Sequence, residues 1–404
     1  MNIFKIKAIS MICFISLIFL SSCSVSKAEV DYYDRDYPVK VGMDFEGGFL
    51  YKKFGDTVLK VFDYESRSLV PLCAKPNCLH NSTDCNAVRK NDADSIFLYH
   101  NKLYVFDTDV EAADASATIG RVRTTITVSD TDGNNEKTLI KFDGEYEDAY
   151  SSYIYNGSLY FVVKIHNDID IANGGASYSN ADYSENKLLM LDLSGGKITE
   201  ICSLLKGYGC ITDIICMTVN KAYISTLYKE EEAKYEDYGS AEEWIEAANK
   251  IKPICGNITV DLATGEITGE EPPINFKWIY DSHYYATDSG VYVYNSDTRE
   301  FDLVSENANC TNVIDDRYFI LYSDEGHFIY DSKTDKTEEL PIYANAKSFS
   351  PEKFYSDYCF GYIQLKGEEE NIFFHGLGYC KTEDLYNEDC EFTIVYGEEY
   401  EVHD

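Results

Sequence analysis

Three thiols and one imidazole fall within thirteen residues, in Cys73-Ala74-Lys75-Pro76-Asn77-Cys78-Leu79-His80-Asn81-Ser82-Thr83-Asp84-Cys85. Three thiolates and an imidazole are a Cys₃His donor set, and four such ligands close the tetrahedral shell of a structural zinc. Cys78 and His80 stand two apart, so an extended backbone points both to one side. Pro76 and Asn77 suit a turn that carries Cys73 back toward them. The Cys-x-His step is tighter than usual finger spacings, and in an oxidising compartment Cys73 could instead bond Cys78 or Cys85. These residues leave both readings open: a zinc held by Cys73, Cys78, His80 and Cys85, or a disulfide among the thiols. A c-type haem is excluded, because Cys-x-x-Cys-His does not occur.

Other chemistry finds little footing. The chain has no G-x-S-x-G, no H-E-x-x-H and no phosphate-cradling Walker loop. Ser350-Pro351-Glu352-Lys353 matches S-x-x-K, but its S-D-N and K-T-G companions are missing. No catalytic residues are assigned. With 70 acidic residues, carboxylate pairs suited to glycoside chemistry can arise anywhere. A polysaccharide hydrolase or lyase therefore stands as the alternative to a binding function. Of the seven histidines, His166 alone falls inside a long insertion.

The thirteen cysteines divide by place. Cys13 lies in an N-terminal apolar run, Ala8 to Leu20, preceded by Lys5 and Lys7. Its thirteen residues fall short of the about twenty that span a bilayer, so it reads as a signal-peptide core. Next comes Leu20-Ser21-Ser22-Cys23, which resembles the lipobox of bacterial lipoproteins. That resemblance implies cleavage after residue 22 and a diacylglyceryl group on Cys23, which two acyl chains make a stable anchor. Residues 1–22 are then a signal peptide, 23–39 a polar, lipidated tether, and 40–404 one folded domain on the outer side of a cell membrane, as a monomer. Ser24 after the lipidated Cys leaves the envelope type open. Outside the 73–85 cluster, eight cysteines remain, with pairs such as Cys202–Cys210 and Cys380–Cys390 suggested by proximity; Cys216 and Cys359 read equally as buried thiols in strands.

The elements that carry these residues are hairpins. Seven times a pair of turn formers precedes an aromatic or β-branched strand, as in His100-Asn101-Lys102-Leu103-Tyr104-Val105-Phe106 and Asn156-Gly157-Ser158-Leu159-Tyr160-Phe161. Between them lie second hairpins whose turns open on Asp63, Asp130, Asp192, Asp261, Asn295 and Asp331. Two hairpins make a four-stranded antiparallel blade, and repeated blades make a β-propeller, an all-β ring with short protected edges. Seven blades fit the count, with six and eight as alternatives. The Asp130-Thr131-Asp132-Gly133-Asn134 turn resembles those of TolB-like propellers of exported bacterial proteins. It is no calcium loop, since an EF-hand needs Gly at the sixth position and here Gly133 is fourth. The cysteine-rich insertion is similar to those of uncharacterised propeller lipoproteins from clostridia-like bacteria.

Composition narrows the partners. The chain carries 35 basic and 70 acidic residues, a formal net charge of −35. Such a charge repels nucleic acid and anionic head groups. Long excursions are expected at 108–120, 164–187 and 229–252, each between the second and third strands of a blade, on the same face as 73–85. Long loops on a rigid scaffold are where binding concentrates. The 229–252 insertion carries a short helix: Ser240-Ala241-Glu242-Glu243 is a capping box, and Trp244, Ala248 and Ile251 follow at helical spacing for packing on the ring. The expected function is non-catalytic binding or scaffolding of a peptide, a glycan or an envelope protein.

Overall fold

Turn chemistry sets the hairpins. The computed structural model describes residues 35–401 except 43, 46, 52–56, 74, 76, 83, 89–94, 113–118, 147–150, 167–168, 171–182, 234–236, 238, 270–275, 281–283, 288–289, 296, 307–309, 316, 324–325 and 367–371. The signal peptide and Cys23 lie outside the described residues. His100 and Asn101 have φ of 48° and 55°, and Asn156 and Gly157 have 49° and 71°. Two consecutive positive φ values are the signature of the type I′ turn, whose twist matches that of its strands. The second set of hairpins uses its Asx residues as expected. Asp192 Oδ1 accepts from Ser194 N at 2.9 Å, Asp261 Oδ1 from Thr264 N at 2.8 Å, and Asn295 Oδ1 from Asp297 N at 3.0 Å.

The strands form antiparallel sheets in a propeller-like ring. The first holds Asp44–Phe45, Gly48–Tyr51, Lys60–Asp63 and Ser68–Pro71. The second holds Ser95–Tyr99, Lys102–Ala112, Ile119–Asp130 and Lys137–Asp143, plus Ile169–Asp170 added at the Ile119–Asp130 strand. The last three are four-stranded, running Phe276–Tyr280 to Glu300–Ser305, Cys310–Ile314 to Lys336–Leu340, and Ala346–Tyr355 to Thr393–Glu401. Between them lies one nine-stranded sheet. Among the described residues there are thus six sheets, five small and one large, and not seven separate blades.

The difference has a local cause. The strand Lys197–Met217 runs unbroken for 21 residues, pairing first with Tyr183–Asp192 and then with Lys221–Lys229. No turn separates the third hairpin pair from the fourth. Gly207, where an added Cβ would sit 2.7 Å from Lys229 O, and Gly209, at φ 58°, let the strand bend instead. Cys202 lies opposite Leu188, and Cys210 Sγ lies 3.7 Å from Ser184 O, four positions or roughly 13 Å farther along Tyr183–Asp192. That span rules out the Cys202–Cys210 pair.

Apolar clusters join successive sheets and close the ring. Leu50 and Leu59 pack with Ile96 and Leu103, Tyr284 and Val291 with Cys310 and Phe319, and Ile314 and Ile320 with Phe349 and Ile363. The last sheet meets the first where Phe360 packs edge-on to Phe62 and Tyr396 lies 4.8 Å from Tyr51. First strands are buried and fourth strands exposed, as Ser95–Tyr99 against Lys137–Asp143 shows, so the first strand of each set lies innermost. One further strand lies inside them. Val39–Lys40 pairs with Tyr153–Tyr155. Pro38, Val39 and Val41 are buried, and the expected tether therefore gives way to the fold before residue 39.

Candidate functional site

The 73–85 segment starts where Ser68–Pro71 ends. Leu72 N donates to Leu59 O at 2.9 Å, which drives Leu72 and Cys73 into the core between the first two sheets. The chain then reverses through Asn77 and His80, at φ 60° and 51°. Cys78 N donates to Lys75 O and Cys85 N to Ser82 O, two tight turns that fold the loop onto itself. Leu59 N donates to Ala87 O at 2.8 Å, and a Val58–Val88 bridge anchors the far end. Cys73 and Cys85 end up buried, Cys78 and His80 partly exposed.

These turns bring the four side chains together. The Sγ atoms of Cys73, Cys78 and Cys85 and a ring nitrogen of His80 all lie within 4.8 Å of one another. Four ligands around a tetrahedral zinc stand roughly 3.3–3.8 Å apart, given Zn–S near 2.3 Å and Zn–N near 2.0 Å, so the group fits a metal after slight contraction. His80 Nδ1 is 3.2 Å from Cys85 Sγ. All the described cysteines, these three included, are free thiols in this arrangement. Among the described residues this is the one such cluster.

The electrostatics of the cluster are uneven. The Lys75 backbone N–H holds the Cys73 thiol below its ordinary value, helped by hydrogen bonds from Cys85 and Cys78, while burial pushes the Cys85 thiol up. A divalent ion would supply the positive charge that Cys85 lacks. Lys75 Nζ binds Asn86 Oδ1 at 2.9 Å and Asp84 O at 3.3 Å, clamping the loop and placing a cation beside the thiols. With four protein ligands no coordination position stays open, so the chemistry on offer is structural.

The loop also reaches the next sheet. Asn86 Nδ2 donates to Asn134 Oδ1 at 2.5 Å, and a Cβ at Gly133, φ 75°, would meet Asn86 Cβ at 2.8 Å. The Asp130–Asn134 turn is therefore a docking surface for the cysteine loop. The contact joins the four-ligand loop to a tight turn 48 residues away along the sequence. A cavity of about 370 Å³ lies between them, lined by Val61, Leu72, Cys73 and Thr131 among others.

The expected excursions divide in kind. Regular pairing runs into the 108–120 excursion, with Thr108 opposite Thr124 and Ala112 opposite Gly120, while its residues 113–118, like 167–168 and 171–182 of the next excursion, lie outside the described residues. From the 164–187 excursion, Ile169 pairs with Gly120 and Asp170 with Ile119, so one insertion adds a strand to the sheet of the other. His166, 7% exposed, holds Glu145 at 2.6 Å, and that bond keeps the Glu145 carboxyl below its usual range against the opposing cost of burial. The third excursion carries the helix Ala241–Lys250. Ser240 Oγ caps Glu243 N at 3.2 Å, and Glu243 reaches back to Gly239 N at 3.0 Å. Trp244, half-buried, donates from Nε1 to Ala233 O at 2.6 Å, a bond within its own excursion. Glu230, Glu231 and Glu232 stay exposed beside it. No helix among the described residues is long and apolar enough to cross a membrane.

No family model matches the chain, and no curated relative does. Solved structures similar to it are propeller-type enzymes. An oligogalacturonate lyase in complex with manganese is 13% identical, with TM-score 0.28, covering 72% of this chain and 84% of its own. The Pyrococcus horikoshii acylaminoacyl peptidase is 14% identical, TM-score 0.34, covering 80% of this chain; this chain spans about half, 49%, of it. The Porphyromonas gingivalis dipeptidyl peptidase 4 is 9% identical, TM-score 0.36, covering 87% and 59%. Likenesses this distant carry no argument about activity.

Proposed function

We propose that this chain is a lipid-anchored, extracytoplasmic binding module built on a propeller-like ring. Cys23 carries the lipid, the ring is the scaffold, and the edge formed by the insertions captures a peptide, a glycan or an envelope protein. The observation that supports this is the pairing of Ile169–Asp170 with Ile119–Gly120. It ties excursions from two successive hairpin pairs into one edge, and rigid loops on a scaffold are where recognition concentrates. A zinc at Cys73, Cys78, His80 and Cys85 is the structural staple of the scaffold. The acidic charge directs the module to cationic or neutral partners and away from nucleic acid.

Replacing Ile169 and Asp170 with Pro, which removes their pairing with Gly120 and Ile119, tests the reading. The purified variant and the parent are compared on a glycan array and in capture from solubilised envelope. Loss of capture with an unchanged melting transition is expected, and undiminished capture would refute the edge as the binding surface. Palmitate labelling tests the anchor separately: Cys23→Ala should abolish it, and equal labelling would refute lipidation.

A further inference from the structure

The last sheet gathers three cysteines away from the metal-type cluster. Cys359, on Tyr358–Lys366, stands opposite Cys380, on Ile372–Lys381. After Cys380 the chain makes a short 3₁₀ turn at Thr382–Asp384, and Asn387 N and Cys390 N close two more turns onto Asp384 O and Asn387 O. These turns return Cys390 to the core beside the other two. Tyr343 Oη donates to Leu385 O at 2.9 Å and Ala344 N to Glu388 O at 2.9 Å, so the connection is held by the segment that precedes Ala346–Tyr355. The three residues are 0%, 2% and 1% exposed. All three belong to one buried cluster with Tyr343, Phe349 and Leu385.

We infer that Cys380 and Cys390 form a disulfide under oxidising conditions and that Cys359 remains a free thiol. Three observations carry this. Cys390 is returned by its own turns to the cluster that holds Cys380, whereas a cross-strand pair such as Cys359–Cys380 holds its Cβ atoms about 4.5–5.5 Å apart, wider than the mean of about 3.8 Å in disulfides. The three do not form a second metal group, since the cluster at Cys73 to Cys85 is the one such set among the described residues. The two sulfurs also close a short connection already fixed by its own turns, so little rearrangement is required. Burial pushes all three thiols up. At 2% and 1% exposure Cys380 and Cys390 are out of a donor's reach in the closed core, so oxidation takes place during folding.

The reaction balances against a disulfide donor, either a small organic disulfide or the oxidised dithiol of an oxidoreductase. One cysteine, as its thiolate, attacks a donor sulfur and releases one donor thiolate. The second attacks the resulting mixed disulfide, forming the Cys380–Cys390 bond and releasing the second thiolate. The protein loses two protons and two electrons, and the donor is reduced to two thiols.

This inference draws its natural setting from the extracytoplasmic reading, and the test separates the two. Trypsin cleavage at Lys353, Lys366 and Lys381 puts Cys359, Cys380 and Cys390 on three different peptides, 354–366, 367–381 and 382–404. The full mature chain is reduced, unfolded, and refolded in mixed reduced and oxidised glutathione, and free thiols are alkylated after denaturation. A 367–381 peptide linked to 382–404, with Cys359 alkylated, is the expected result. A 354–366 to 367–381 link, or three alkylated thiols, would overturn the pairing. The same map on protein isolated from cells separates the readings: three alkylated thiols there, with the refolded link intact, would uphold the pairing and count against export. Cys359→Ser should retain the link. Cys390→Ser should lose it and melt several degrees lower without reductant, a gap that reductant should close; a gap that persists would contradict the assignment.

Discussion

Val39 stands directly opposite Ile154 in an antiparallel pair, and both side chains are buried at the inner edge of the ring. Val41 N continues the ladder to Ser152 O at 2.8 Å. Tyr37 packs both on the cluster around Val39 and on that around Cys216 and Tyr285. The first described residues therefore bind together parts of the ring that are far apart in sequence. Direction matters as well. Residue 39 lies toward the Asn156–Gly157 turn and residue 41 away from it, so the chain enters from the tight-turn side.

Truncating this strand should therefore destabilise the whole ring. Val39→Ala should cost about 2 kcal/mol through lost burial and the cavity left behind, and Val39→Asp more, since it buries a charge without a partner. Thermal or denaturant melting of the two variants checks the order. Melting curves indistinguishable from the parent would mean that residues 35–41 only rest on the surface.

Gly133→Ala strikes the docked turn. A Cβ there meets Asn86 and must also adopt a φ of 75°, so the variant should lose about 1–2 kcal/mol. Because Asn86 belongs to the loop that ends in Cys85, metal should also leave this variant faster on chelation, which a colorimetric zinc-release assay measures.

The pH response should come from the Asx turns. Arg317 binds Asp331 through Nε at 2.8 Å and Nη2 at 2.6 Å, and this fork holds the Asp331 carboxyl well below the usual carboxylate range. Hydrogen bonds from Ser194 lower Asp192, and those from Thr264 lower Asp261. Each folded-state value lies below the unfolded one, so the stabilisation is complete above the unfolded carboxylate value of about 3.9 and is lost as pH falls through the folded values. The melting temperature should stay level from about pH 8 to 5 and decline below about pH 4. Asp331→Asn should melt lower at neutral pH and show a shallower acid decline.

Trp244→Phe isolates the helix. It keeps most of the ring and removes the donor to Ala233 O, so the loss should be about 1 kcal/mol or less, with the hydrogen bond as its source. Hydrogen exchange of the amides in Ala241–Lys250 should speed up, while that of Ser158–His166 should not change.

What could be read in advance was local. The Asn156-Gly157 turn, the Asx bonds at Asp192 and Asp261, the Ser240 cap and the approach of Cys73, Cys78, His80 and Cys85 all depend on residues a few positions apart. What could not be read was pairing across distance. Nothing in Val39 names Ile154 as its partner, and nothing in Ile169 names Gly120. The run from Lys197 to Met217 belongs here too: tertiary pairing on both sides makes Gly207 and Gly209 bends in one strand. Cys202 and Cys210 then looked close when the extended backbone keeps them apart.

The most direct measurement is the metal content of protein purified without chelator. The account predicts about one zinc per chain, lost in Cys78→Ser, with a lower melting temperature after chelation of the parent. Metal-free protein with a disulfide between any two of Cys73, Cys78 and Cys85 would contradict it.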